Sequence, residues 1–432
     1  MAKTYRAWEV EQRWLLPPSV LELVPPEHPA HFIRELVRQD LDLSAILDAY
    51  REERGQPPYH PVMMTALLLY AYSQGVHSSR QMAKACVERV DFMAVTARCA
   101  PDFRTVSDFR KRHLAALKDL FVQVLALCSE AGLVRLGHVA IDGTKIQANA
   151  SKHKAMSYGR MCSEQSRLAA EVAAWLDQAE AVDEAEDAQY GQDRRGDELP
   201  DWVVDKQKRV EKIREAKAAL ERQAKEASAQ AEREGERKQP ATPDAKAQRN
   251  FTDPESRMMR THGTFEQAYN CQAAVDAQSQ VIVAREVVAE QNDAPQLRPL
   301  VAQIKANTGR QAREVSADHG YCSEANLKEL ARRHIRGYVA TGRQPHGKSA
   351  TESLQSRARL SPWIQAMRLR LRRGGWRSRY RLRKVTAEPV FGQIKGAQRF
   401  RQFLMRGLER VQAEWSLVCT GHNLRKLAAA SA

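Results

Sequence analysis

From residue 264 to the C-terminus, short apolar runs alternate with segments of helical period, and this succession restricts the fold more than any single motif. FEQAYNCQAAVDAQSQVIVAREVVA predicts a β-hairpin turning near Asp276-Ala277-Gln278-Ser279. A helix is predicted over 295–307, a strand in REVSADHGY, a helix beginning near Ser323 in SEANLKELARRH, and a further strand in IRGYVAT. Upstream, LGHVAIDGT is a short apolar run ending in Asp-Gly between a long helical pattern and a polar stretch, and reads as a buried strand.

Residues 155–250 interrupt this succession with Ala, Glu, Lys, Arg and Gln and very few strand formers. Leu168, Val172, Trp175, Ala179 and Val182 form a heptad-like stripe, and Val210, Ile213, Ala216, Leu220 and Ala224 a looser helical face. The polar stretch GQDRRGDELPDW separates them, so an antiparallel helical hairpin is expected, with EREGERKQPATPDAKAQRN as a flexible tail; a mere spacer is the plainer alternative. Without this zone the order is β, β, β, α, β, α, β, α, which predicts an α/β, RNase H-like core: a mixed sheet flanked by helices. The first 115 residues read as all-α. PVMMTALLLYAYSQG stops at Gly75, Ser78 is placed to cap SSRQMAKACVERV, and a third start falls at Thr105-Val106-Ser107-Asp108 ahead of FRKRHLAALKDLFVQVLALCSEAGL. Two helices around a glycine turn suit a helix-turn-helix or an ordinary helical hairpin equally. The expected division is a helical N-terminal domain over 1–115, an α/β core from 116–154 and 251–432, and an inserted hairpin over 155–250.

Three acids fall where such a core could build a site. Asp142 and Asp318 are expected at strand ends, and Glu388 at the start of the helical segment AEPVFGQIKGAQRF with Pro389 in its first turn. Carboxylates on one rim suit two Mg²⁺ or Mn²⁺ ions, which serve phosphoryl transfer by activating the attacking oxygen and stabilising the leaving one. Each acid also has a plain reading, as a turn former before glycine or as a helix-dipole partner. Asp253, Asp276 and Asp293 fall in loop or hairpin positions and rank lower. Helical spacing puts Glu388, Gly392, Lys395 and Arg399 on one face, opposite Val390, Phe391 and Ile394.

Sixty-eight Lys and Arg against 53 Asp and Glu give a net charge of +15, which favours a polyanionic partner. Between Ser353 and Ala387 there is no acid but there are eleven basic residues, from Arg357 and Arg359 to Arg383 and Lys384, interleaved with Trp363, Trp376 and Tyr380. Phosphate contact with aromatic stacking suits that run better than a solvated tail. A mean hydropathy of −0.57 and the lack of a long apolar run argue against a membrane span. Seven scattered cysteines without a CxxC pair, and an N-terminus lacking an apolar stretch, point to the cytoplasm.

YHPVMMTALLLYAYSQGVHSSRQ, PDFRTVSDFRKRH, AIDGTKIQANAS, DPESRMM, YNCQAAVDAQSQVIVA, SADHGYCSEANL and AEPVFGQIKG together resemble the blocks of bacterial insertion-sequence transposases of the DDE superfamily, in the branch with a helical N-terminal domain and a helical insertion after the first catalytic aspartate. The resemblance implies that Asp142, Asp318 and Glu388 are catalytic metal ligands, and that Lys395 contacts double-stranded transposon-end DNA. It implies recognition of terminal inverted repeats, joining to target DNA, a homodimer or larger assembly, and a nucleoid-associated cytoplasmic location. The family signature Tyr-x2-Arg-x3-Glu-x6-Lys is kept as Glu388-x6-Lys395 and Tyr380-x2-Arg383, but four residues separate Arg383 from Glu388 and Lys384 takes the expected arginine position. Arg399, Lys145 and Asn149 are further candidates for DNA contact. A nuclease that never joins strands and a DNA-binding relative with a decayed site are the rival readings.

Overall fold

The computed structural model describes residues 19–50, 57–190, 201–233, 240–261, 263–342 and 361–431; of 175–190, 201–204, 230, 231, 233 and 376 it describes the backbone alone. The side chains at the stripe positions Trp175, Ala179 and Val182 and at Trp376, together with the stretch 191–200, Arg357 and Arg359, therefore lie outside the description.

The N-terminal part is helical: α1 (Pro29–Gln39), α2 (Ser44–Leu47), α3 (Pro61–Ser73), α4 (Ser79–Glu88), α5 (Val90–Thr96), α6 (Phe103–Arg112) and α7 (Leu114–Glu130). In α3 the His60 ring accepts from Val62 N and Pro61 occupies the first turn. Its apolar residues follow no stripe because the helix is buried all round. The third start lies earlier than the sequence predicts, since the Asp102 carboxylate accepts from Arg104 N and Thr105 N. The single long helix expected after it is two, broken at His113, which ends α6 and begins α7.

Next come β1 (His138–Gln147), β2 (Ala155–Ser157), α8 (Tyr158–Tyr190), α9 (Asp201–Arg233), β3 (Gln248–Asn250), β4 (Arg257–Thr261), β5 (Thr264–Asp276), β6 (Ile282–Val288), α10 (Leu297–Thr308), β7 (Glu314–Ala317), α11 (Glu324–Arg332), β8 (Arg336–Val339), α12 (Pro362–Gly374), α13 (Leu382–Gly392) and α14 (Leu408–Ser431). The sheet runs β4-β5-β1-β7-β8, with β6 also on β5. β1 is antiparallel to β5 and parallel to β7, and β7 is parallel to β8. β4 pairs with residues 264–268 of β5 and β6 with 270–275, so the two share one edge end to end. Apart from β2, β3 and β4, which the sequence reading did not include, the strands and helices follow the order read from the sequence: a mixed sheet flanked by helices, RNase H-like, beside an all-α N-terminal part.

The insertion is an antiparallel hairpin. Tyr158 Oη donates to Glu221 Oε1 at 2.8 Å, and Lys206 Nζ to Glu171 Oε2 at 2.8 Å. Met161 and Leu168 pack on Ile213, Ala216 and Leu220 in a small core of their own. The tail read as flexible contains a strand: Gln248–Asn250 pairs with Ala155–Ser157 and ties the base of the hairpin together. The N-terminal helices and the sheet share one apolar core. α14 lies against α3, where a methyl group on Gly421 would come within 2.8 Å of the Tyr72 carbonyl carbon, so only glycine allows this approach. On the other side, Asn423 accepts from Ile282 N and donates to Ile282 O, both at 2.9 Å, and so satisfies part of the outer edge of β6.

Candidate active site

The parallel ladder of β1 and β7 ends with Ile141 opposite Ala317, so the next step along both strands is Asp142 beside Asp318. Matched positions on neighbouring parallel strands send side chains to one face. Asp142 is not at the end of its strand, as expected from sequence. β1 continues to Gln147 because β5 still pairs with it, Asp142 facing Ala273. The carboxylate lies where β7 departs, and Asp142-Gly143 is strand rather than turn. Asp318 does turn the chain: its Oδ1 accepts from Gly320 N at 2.8 Å.

Glu388 comes from α13, but mid-helix rather than at its start, and Pro389 is inside the helix. The proline has no N–H for the Val385 carbonyl one turn back, which instead accepts from Gln280 Nε2 at 3.0 Å. After α13 the backbone widens into a π turn, Gln393–Ala397, and then leaves the helix. The expected face of Glu388, Gly392, Lys395 and Arg399 is therefore not formed. Arg399 is exposed beyond the helix in the left-handed region, φ 57°. Lys395 donates to the Lys145 carbonyl at 2.9 Å, and burial pulls its ammonium below the ordinary lysine range. Val390, Phe391 and Ile394 are buried, as expected.

Arg383 joins the acids. Its guanidinium reaches Asp142 Oδ2 at 2.7 Å and Glu388 Oε1 at 3.0 Å, leaving Nε without a partner. Burial pushes the Asp142 carboxyl up to about 7 despite Arg383 beside it, and the charges of Asp318 and Glu388 add to the rise. Burial likewise raises Asp318 and Tyr380; Arg383 opposes both shifts, and Asp293 adds to the one on Asp318.

Asp293, ranked low from sequence, stands beside this group. Its Oδ1 accepts from Asn270 Nδ2 at 2.6 Å, Gln272 Nε2 at 2.8 Å and Lys145 Nζ at 3.2 Å. A methyl group on Gly143 would come within 2.5 Å of Gln272 Nε2, and one on Gly320 within 3.0 Å of Asp318 Oδ1 and 3.1 Å of Asp293 Oδ2. A side chain at Gly143 would have to displace the Gln272 amide, and one at Gly320 would crowd the two carboxylates. The signal for Asp293 lies in the topology: β6 runs parallel to β1 and β7, so the loop that follows it emerges at the same end of the sheet. Of the other candidates, Lys145 is paired with Asp293, and Asn149 donates to Leu404 O at 2.8 Å while its carbonyl accepts from Arg406 Nε at 2.8 Å. Asp253 accepts from Tyr269 Oη and Asp276 caps its own turn.

Among the described residues no three Asp, Glu, His or Cys side chains converge on one point as metal ligands do. Asp142 and Glu388 converge instead on the guanidinium of Arg383. Their oxygens, with those of Asp318, are hard donors that suit Mg²⁺ or Mn²⁺ in character and charge.

A family model described as Transposase domain (DUF772) matches residues 18–112, and one described as Transposase DDE domain matches residues 322–428. Together the two matches support an insertion-sequence DDE transposase. Glu388, Arg383, Tyr380 and Lys395 lie inside the second match, while Asp142 and Asp318 lie outside both. No curated protein and no solved structure matches the chain. No helix among the described residues is long and apolar enough to cross a membrane.

Proposed function

We propose that Asp142, Asp318 and Glu388 form the catalytic centre of a transposase that cleaves DNA at the terminal inverted repeats of its element and joins the freed 3′-OH to target DNA. The observation that carries this reading is the meeting of Asp142 and Asp318 at the end of one parallel ladder, with Glu388 tied to Asp142 through Arg383.

The three acids would hold Mg²⁺ or Mn²⁺, which when bound supplies charge stabilisation to the attacking and leaving oxygens. The chain's own groups prepare the site. Arg383 holds two carboxylates together. Tyr380 packs beside it, and Lys395 fixes the strand at Lys145. The exposed arginines of α12, Arg370, Arg372 and Arg373, and Arg399 beyond α13 serve as phosphate contacts. In joining, the 3′-hydroxyl gives up its proton as its oxygen bonds to phosphorus, the bond to the departing 3′-oxygen of the target breaks, and that oxygen takes a proton. Residues 1–115 serve DNA binding and assembly, 116–154 with 251–432 serve catalysis, and 155–250 form the inserted hairpin. The working form is a dimer or larger, nucleoid-associated in the cytoplasm.

Asp318→Ala and Glu388→Ala should abolish Mg²⁺-dependent cleavage of duplexes carrying the element's ends while leaving duplex binding intact. Cleavage retained by either variant refutes the assignment. Wild-type cleavage without joining of 3′-OH ends to a target plasmid would favour a nuclease that only hydrolyses.

A further inference from the structure

Away from the acids, the turn between α3 and α4 docks on the segment that follows the π turn. Gly75, φ 74°, is so close to that segment that a methyl group on it would come within 2.9 Å of the Gln398 backbone. Between them opens a groove of about 670 Å³, walled on one side by His77, Ser78 and Lys84 and on the other by Arg399 and Arg401.

Four features of this groove favour an anion. It receives the N-terminus of α4, a helix of ten residues, and the Ser78 side chain makes no capping bond there, so the first-turn N–H groups stay open. His77 is only 8% exposed, yet its Nε2 has no hydrogen-bond partner. A buried ring nitrogen without a partner costs roughly 1–3 kcal/mol unless something satisfies it. Arg399 holds a left-handed backbone conformation that non-glycine residues seldom adopt, and its exposed side chain has no carboxylate partner among the described residues. Arg401 binds the Lys395 carbonyl through Nε, which leaves its terminal nitrogens for a ligand. The wall's acid, Glu88, is matched by Lys84 at 3.6 Å.

The groove is linked to the site already described. Gln402, on its wall, bridges to Gln147 at the end of β1, five residues beyond Asp142. Five residues of strand span about 17 Å, which is within the roughly 34 Å of a single duplex turn.

We infer that this groove is a second DNA contact, which seats a backbone phosphate of the duplex whose scissile bond lies at the acids, through the α4 N-terminus, His77, Arg399 and Arg401. The inference rests on the DNA reading above. It is tested on the full chain with a fluorescent duplex of arbitrary sequence in Ca²⁺, by anisotropy across a salt series. Arg399→Ala/Arg401→Ala, a change of two exposed side chains, should make the slope of log affinity against log salt shallower by about 2. Ser78→Asp improves the helix cap but puts a negative charge where the phosphate sits. It should weaken binding at least about tenfold, which is about 1.4 kcal/mol, with Tm unchanged or raised. Wild-type affinity and slope in both variants would overturn the groove assignment while leaving the DNA reading intact. A wild-type chain with no salt-dependent affinity for the duplex would overturn both.

Discussion

Arg383 is the residue on which the acids depend before any metal arrives. With side chains 14% and 13% exposed, Arg383 and Asp142 form a pair shielded from water, and removing one member of such a pair leaves the other charge without compensation. In metal-free buffer above pH 7, where Asp142 is ionised, Arg383→Ala should lose roughly 3 kcal/mol, with Arg383→Lys recovering part of it. Added Mn²⁺ should then raise the Tm of Arg383→Ala more than that of wild type, because the ion takes the vacated place among the carboxylates. A Tm unmoved by the alanine substitution would show that the ion pair carries no weight. Sequence could nominate Asp142 and Glu388 separately, yet Arg383 lies 241 residues from Asp142, and only the fold brings them into contact. Gly143 shows the same limit. Beside an aspartate it resembles a turn, but its reason is the Gln272 amide from the adjacent strand.

At the level of elements, the apolar core of each strand was legible because burial on both faces selects Val, Ile and Ala. The second half of β1 was not. Lys145 and Gln147 have the composition of a loop, and they are strand only because β5 supplies a ladder on one side. The π turn after α13 was equally hidden, since a helical repeat carries no mark of a one-residue widening. The hidden contribution of α14 is easier to test. Its buried polar residues look out of place on an apolar helix until their partners are seen, and Asn423 binds both backbone groups of Ile282 at 0% exposure. Asn423→Ala strands a buried N–H and C=O at once, so urea unfolding should report a loss of about 2–4 kcal/mol. Asn423→Asp keeps the acceptor but loses the donor and buries a charge, and it should be no better. A loss below about 0.5 kcal/mol for Asn423→Ala would mean that β6 is held by its apolar contacts alone.

Over the whole molecule, a net charge of +15 and buried titratable groups of both kinds make stability a function of pH. His77 and His422 are both pulled down to about 4, His77 by burial and then the Arg110 charge, His422 by burial and then Lys426 and Arg425, against the Gln280 carbonyl. A histidine whose folded value is depressed contributes stability that is present above its unfolded value near 6.5 and is lost as pH falls toward 4. Asp142, Asp276, Asp318 and Glu414 act in the opposite direction. Burial raises each of them, so their contribution is present at low pH and is lost as pH rises through the folded values. A single pH profile of the wild type sums these trends with the growing repulsion of a basic chain and isolates none of them. A difference profile does isolate one. His422→Gln keeps a donor for Gln280 O, which the ring nitrogen contacts at 2.8 Å, and removes the titration. The gap between variant and wild type should shift in favour of the variant by about 3 kcal/mol between pH 7 and pH 4, because every other group titrates identically in both chains. Urea midpoints across that range measure it, and a constant gap would mean that His422 does not remain neutral and buried as the fold places it.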